Sequence, residues 1–489
     1  MVSYKKGPRK ERIGVQMNFL PKEGASEKNI PLLLLAAVGV IEFLFITLES
    51  RFSGIGYYLA ETYVVVPCLL LLGYGLREKP TAFAQKRLLL AGAAIFWFVI
   101  VQCVHKLSGM ENHPMGTVFF VYLMAFPFAA LAEDRENRGL WWMGGMFVAA
   151  ALVLVYYTVL LLLHRVPAGL EAHVFWDGAR LHPLWHPNIA ASYFMIGIGF
   201  CLMFCMLTRK PLGKVLLIGA ILLQLMAMAL TNCRTTLLLT GALLGGTLFF
   251  LISKGGWKRF ILGLAAAALV LVCTFKVSGM LYQWNNDRLL ASFQAVQEEA
   301  LPPAEKKEVS SASEIPAETE AGEELAIMED TGILLGDNQQ KSLMNDLWSF
   351  NGRTQIWEAV LKAVRNDNSL KLWGTEYTGT IISIYHWFDV EHAHNSWLET
   401  LMRMGIPGLV IALVFTVLSA WSGARLLLSQ GTPLWKKTAA MLTLCVMATG
   451  FLEPYLFITN VYYHVTDFAF FFLTGYLDYW CSRKQEQAA

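Results

Sequence analysis

Apolar runs of about 20 residues recur along this chain, and each is long enough to cross a bilayer core as a helix. Such runs are predicted near 30–49, 57–76, 88–107, 115–132, 140–163, 188–208, 212–231, 235–253, 259–278, 397–424, 436–452 and 458–479. The fold class that follows is all-α: a polytopic integral membrane protein of about 12 transmembrane helices. The ninth and tenth runs are separated by the polar stretch 279–396. The chain thus divides into a tail (1–29), nine helices (30–278), a large loop (279–396), three helices (397–480) and a short tail (481–489).

Charge gives this arrangement an orientation. Lys79 and Arg87, Arg135 and Arg138, Arg209 and Lys214, Lys258 and Arg259, Arg425 and Lys436, and Arg483 and Lys484 all fall in connections on the side of the basic N-terminal tail. Basic residues concentrate on the cytoplasmic side of membrane proteins. Both termini are therefore expected in the cytoplasm, and the loop 279–396 on the outer face.

Composition agrees. The 489 residues are 55% hydrophobic and 16% charged, well under the roughly 25% charged of a soluble domain. Mean hydropathy is +0.46. A net charge of +2 offers nucleic acid no basic surface. The eight cysteines fall mostly in apolar runs and read as small buried hydrophobes. The first thirty residues are too long and polar for a cleaved leader, so the first run is expected to remain as an anchor.

The large loop has three parts. Residues 280–294 are expected to extend the ninth helix. Residues 297–341, rich in Glu, Ala, Pro and Ser, form an acidic insertion with too little apolar surface to offset its ordering entropy. Beyond it, Trp357, Val360, Leu361 and Val364 recur at helical spacing and predict an amphipathic helix over the membrane domain. The aromatic run Tyr385–Phe388 follows, and the loop ends on Glu391-His-Ala-His-Asn-Ser396.

That last cluster carries the first candidate chemistry. A neutral imidazole, from His392 or His394, can take a proton from a hydroxyl near neutral pH. Arg353 opens the amphipathic helix, where a guanidinium and helix N–H groups suit a phosphate. Arg234 lies in the short turn Thr231–Thr236 between two runs, a costly place for a charge without a polar partner. Two arginines and a histidine at one membrane surface suit a lipid-linked pyrophosphate. The loop 164–187 adds Arg180, a further phosphate contact, and the histidines His173, His182 and His186, whose spacing matches no standard metal site. Glu42, Glu61, Glu453 and the pair His464/Asp467 lie in or near the runs and support a rival reading, a transporter with a charged central path.

The motifs also have an order: His186-Pro-Asn188 at a span start, Cys233-Arg-Thr235 in a short turn, a large late loop, Gly352-Arg353 before Trp357, then His394-Asn395 with Leu398-Glu399 and Gly405-Ile-Pro-Gly408. This order resembles the O-antigen ligase and O-antigen polymerase superfamily of bacterial envelope polysaccharide assembly. The resemblance implies a GT-C-type, inverting glycosyltransferase of the inner membrane that needs neither metal nor cofactor. Its donor would be a glycan on undecaprenyl pyrophosphate, and its acceptor a hydroxyl on a glycan or lipid, as in lipopolysaccharide synthesis. Matched motif by motif, Arg234 and Arg353 would bind the pyrophosphate and His394 would be the general base. Arg180, His186, Asn188, His392 and Asn395 would contact substrate. Ligase and polymerase differ in acceptor, and a flippase or other transporter is the alternative of another class. The long acidic insertion and the extra histidine at 392 depart from the family pattern.

Overall fold

The structure is a computed structural model. It describes residues 82–108, 138–163, 175–177, 180–183, 187–253, 256–300, 353–375, 381–382, 392–454, 456–457 and 464–486, with isolated helical positions between 33 and 73. The run expected near 115–132, most of the acidic insertion, Tyr385–Phe388, His173, His186, Glu42 and Glu61 lie outside the described residues.

The elements are α1 (Ala82–Leu107), α2 (Arg138–Leu162), β1 (Phe175–Asp177), β2 (Arg180–His182), α3 (Pro187–Leu207), α4 (Pro211–Thr231), α5 (Arg234–Ile252), α6 (Trp257–Ala300), α7 (Arg353–Asn366), α8 (Asn368–Leu372), α9 (Ser396–Leu428), α10 (Leu434–Thr449) and α11 (His464–Glu486). Seven of these helices are long and apolar enough to cross a membrane: α1 to α6 and α9. Each of their membrane-spanning segments starts within two residues of an expected run. The protein is therefore a multi-pass membrane protein. Helices α10 and α11 occupy the last two expected runs.

The described residues are nearly all helical, as expected; beside the helices, β1 and β2 form an antiparallel hairpin with Asp177 opposite Arg180. Aromatic Phe175-Trp176 and apolar Leu181 flank an Asp177-Gly178 pair, the short-range signal for a tight hairpin.

Helix α3 is the centre of the bundle. Its span is 83% buried, against 6% for α6, and it packs on α2, α4 and α10. Small residues permit this: a Cβ on Gly199 would meet Leu442, and one on Gly144 in α2 would meet Phe200. Close backbone approach through small residues is the usual basis of helix association in lipid. The α5–α6 pair uses Gly241 and Gly245, with Gly245 facing the backbone of Ala267. The expected extension of the ninth helix is present, as α6 runs on to Ala300. Arg288 on α6 donates to Leu162 O at the end of α2 (2.5 Å).

Helix α7 is amphipathic, but its buried face is not the expected one. Ile356, Ala359, Val360, Ala363 and Val364 are buried, whereas Leu361 is 54% exposed. The alanines decide the face because they let α7 lie close to Ala393, Leu401 and Met402. A periodicity based on bulky residues misses that contact.

Helix α9 is broken at Gly405 (φ 66, ψ −170), two residues before Pro407. Proline has no N–H to give the preceding turn and ends regular helix there. Other groups occupy the carbonyls at the break. Thr375 N–H donates to Met402 O (2.5 Å) and Trp97 Nε1 to Met404 O (2.8 Å). Trp97 also stacks on Trp373 at 5.4 Å between ring centroids. The end of α8 is thereby fixed against both α1 and the bend of α9.

Candidate active site

The N-terminus of α9 and the turn after α10 are joined at one end of the bundle. Ser396 N–H donates to Gly450 O (2.8 Å) and Ser396 Oγ to Glu453 O (2.9 Å), while Leu456 N–H donates to Ser396 Oγ (2.9 Å). Asn395 caps α9, accepting the N–H groups of Trp397 and Leu398 at 3.0 Å each, and donates to Phe451 O (2.9 Å). Both polar ends of Asn395 are thus occupied within the protein. These bonds fix Asn395, expected from the motifs as a substrate contact, at the cap of α9. Asn395→Ala should lower stability by about 1–2 kcal/mol, read as earlier thermal unfolding in detergent. Asn395→Asp should keep the cap, and equal melting of wild type and Asn395→Ala would show that neither cap nor stitch holds.

This joint brings Glu453 beside His394. Glu453 is the hub of the site. Its Oε1 accepts from Arg353 Nη2 (2.5 Å) and Asn188 Nδ2 (2.7 Å), and its Oε2 lies 3.4 Å from His394 Nδ1. Arg180 approaches through Asn188, donating from Nη2 to Asn188 Oδ1 (3.2 Å) and from Nε to Thr231 O (2.8 Å). Five elements or turns therefore contribute to one cluster: β2, the start of α3, the end of α4, the start of α7, and the α9–α10 joint.

The electrostatics are those of a mostly dry ion pair. The side chain of Glu453 is 6% exposed, that of Arg353 16% and that of His394 27%. The attraction of charges this close grows as water is excluded. Among the described residues Glu453 is the one partner recorded for Arg353, leaving most of its five donors available to an anion. In the tautomer that donates Nδ1–H to the carboxylate, the lone pair of His394 is on Nε2. His394 adopts a left-handed backbone (φ 48), unusual for a residue with a side chain. Its ring lies edge-on to that of His392, 4.2 Å between centroids.

Of the expected site residues, Arg353, His394 and Asn188 meet at Glu453, with Arg180 joined through Asn188 and His392 against His394. Arg234 is half-buried at the first position of α5. It follows Cys233, whose buried thiol is pushed up by desolvation, eased by its bond to Thr236, raised by Glu453 and lowered by Arg180. The turn carrying Arg234 thus lies within electrostatic range of the cluster. His182 is buried in β2, and His186 falls outside the described residues.

Glu453 is the functional group that motif reading placed elsewhere, among the carboxylates of a transporter path. The signal was present: positive-inside assignment puts residues 453–457 on the same face as His394 and Arg353. Of the other carboxylates named for that path, Asp467 accepts the Phe457 N–H (2.9 Å).

Fold and cluster together define a multi-pass helical membrane protein with a polar, ion-paired site at one end of its bundle. Residues 219–413 match the family model described as O-antigen ligase. Over that segment the chain is similar to the O-antigen ligase family. The matched segment takes in Arg234, Arg353, His392, His394 and Asn395, and stops short of Arg180, Asn188 and Glu453. No curated protein matches the chain significantly.

Proposed function

We propose that the protein is a membrane glycosyltransferase of ligase type, moving a glycan from an undecaprenyl-pyrophosphate donor to an acceptor hydroxyl at the outer face of the inner membrane. The observation that carries this reading is the convergence of Arg353 and His394 on one carboxylate, Glu453. Arg353 and Arg234, with Arg180 nearby, hold the pyrophosphate. His394 Nε2 takes the acceptor proton as the acceptor oxygen bonds the anomeric carbon from the face opposite the leaving group. The sugar–phosphate C–O bond breaks and the lipid pyrophosphate leaves, its charge met by arginine. Glu453 orients the imidazole and stabilises it once protonated, as a carboxylate does for a catalytic histidine. The step needs no metal, because the guanidinium groups supply the neutralising charge.

The test is transfer in membranes supplied with lipid-linked glycan. His394→Ala should reduce turnover by about 10²–10⁴-fold, the usual contribution of a general base, and Arg353→Ala should chiefly impair use of the donor. Undiminished transfer by both variants at normal expression would refute the assignment. Reconstitution with a lipid acceptor or a second lipid-linked glycan then separates a ligase from a polymerase.

A further inference from the structure

Glu399 has no part in the chemistry above, yet it is a fully buried carboxylate one turn into α9 (0% exposed). It does not face the cluster. Its Oε2 reaches back past the helix cap to accept the Ala393 N–H (2.9 Å), and its Oε1 accepts from Arg403 Nε (2.6 Å). Ala393 is the residue between the two histidines and is itself fully buried against α7. A glutamate near a helix start commonly reaches the N–H of the cap residue. Here the cap N–H would belong to Asn395, and the bond goes two residues further back instead.

The consequence falls on His394. Its peptide neighbours are held on both sides, Ala393 by Glu399 and Asn395 by its cap and the Phe451 carbonyl. Between two fixed points the chain takes the left-handed backbone seen at His394. A left-handed residue with a side chain persists where its surroundings over-determine it. Released from Ala393, the chain would relax toward ordinary φ and carry the imidazole away from Glu453. Arg403 has a different task. It pairs with a fully buried carboxylate (2.6 Å), because an unpaired charge there would be costly.

We infer that Glu399 is a positioning residue for His394, acting through the Ala393 N–H, with Arg403 as its counter-ion. The inference rests on His394 being the base. It separates two properties of Glu399: the oxygen that holds Ala393 and the charge that Arg403 balances. Only the first bears on His394.

The experiment compares two volume-matched side chains at 399 on an Arg403→Gln background, in the full chain, with thermal unfolding recorded for each. Glu399→Gln keeps an acceptor oxygen, and Glu399→Met does not. The Gln/Gln protein should transfer glycan at close to the wild-type kcat. The Met/Gln protein should lose turnover on the order of 10²-fold, the scale for a reacting group displaced by about 1 Å, with donor KM little changed because Arg353 and Arg180 are untouched. Equal kcat in the two proteins, at either the wild-type or the reduced level, would overturn the inference. So would a Met/Gln protein that does not fold while Gln/Gln does, since the oxygen would then support the fold as a whole. His394→Ala run in parallel keeps the two claims apart. If it transfers normally, the base assignment fails and the inference with it. If it is inactive while Met/Gln is fully active, only the inference fails.

Discussion

Glu453→Ala should abolish transfer and destabilise the protein in the same step. The carboxylate is shared by Arg353, Asn188 and His394, so its removal leaves a largely buried guanidinium without its counter-charge. Breaking a buried ion pair from one side costs about 3–5 kcal/mol, and the partial wetting of Arg353 places this site toward the lower end. Glu453→Gln separates charge from shape: it retains an oxygen for Asn188 and loses the ionic partner of Arg353. We expect Gln to fold and to reach the membrane, with turnover on the order of 10³-fold or more below wild type, as when a catalytic histidine loses its carboxylate. Donor affinity should survive, because Arg353 is then less occupied. The pair of measurements is thermal unfolding and steady-state transfer. Wild-type turnover in a well-folded Glu453→Gln protein would show that the charge has no catalytic part.

Gly405→Ala should be the most damaging single-methyl substitution at a glycine outside the cluster. Gly405 and Gly374 both have positive φ (66 and 70), and each faces the backbone of the other's segment. A Cβ on Gly405 would meet the Leu372 carbonyl, and one on Gly374 would meet the backbone of Met402 and Arg403. Neither obstacle is a side chain that can swing away. Left-handed strain of about 1–2 kcal/mol adds to an overpacking cost of about 1–3 kcal/mol. Gly431 is the internal control, since it has φ 78 but open space around it. Gly431→Ala should show the strain alone. Equal melting temperatures for the two alanine variants would mean that the close approach of α8 to the bend of α9 is absent. The coupling matters because Arg353 opens α7, which leads into α8, while His394 directly precedes α9, so the bend bears on the distance between the proposed anion clamp and base.

How far the sequence discloses this arrangement varies with the kind of signal. Apolar runs locate the seven membrane-spanning segments to within two residues at their starts, because burial in lipid demands about 20 apolar residues regardless of neighbours. The break in α9 is legible as Gly405-Ile-Pro407, but not what fills it: Trp97 lies 307 positions from Met404. Arg353 and His394 are recognisable from local motifs. Their meeting point is not, because Glu453 lies 59 residues beyond His394 in a turn with no motif of its own. The buried face of α7 escaped for a related reason, since a contact made by alanines leaves no bulky periodicity. Asn395 carries a second signal: a polar residue beside a candidate base reads as a ligand contact, and an asparagine before Ser-Trp-Leu-Glu also reads as a helix cap, which the structure shows.

The length of α6 has a spatial consequence. Its 44 residues amount to about 66 Å of helix, roughly twice the hydrocarbon thickness of a bilayer. Arg288 marks the level of the bundle's end by its bond to Leu162, and residues 289–300 carry the helix about 18 Å further. The acidic stretch therefore departs from the tip of a stiff mast rather than from the rim of the cluster.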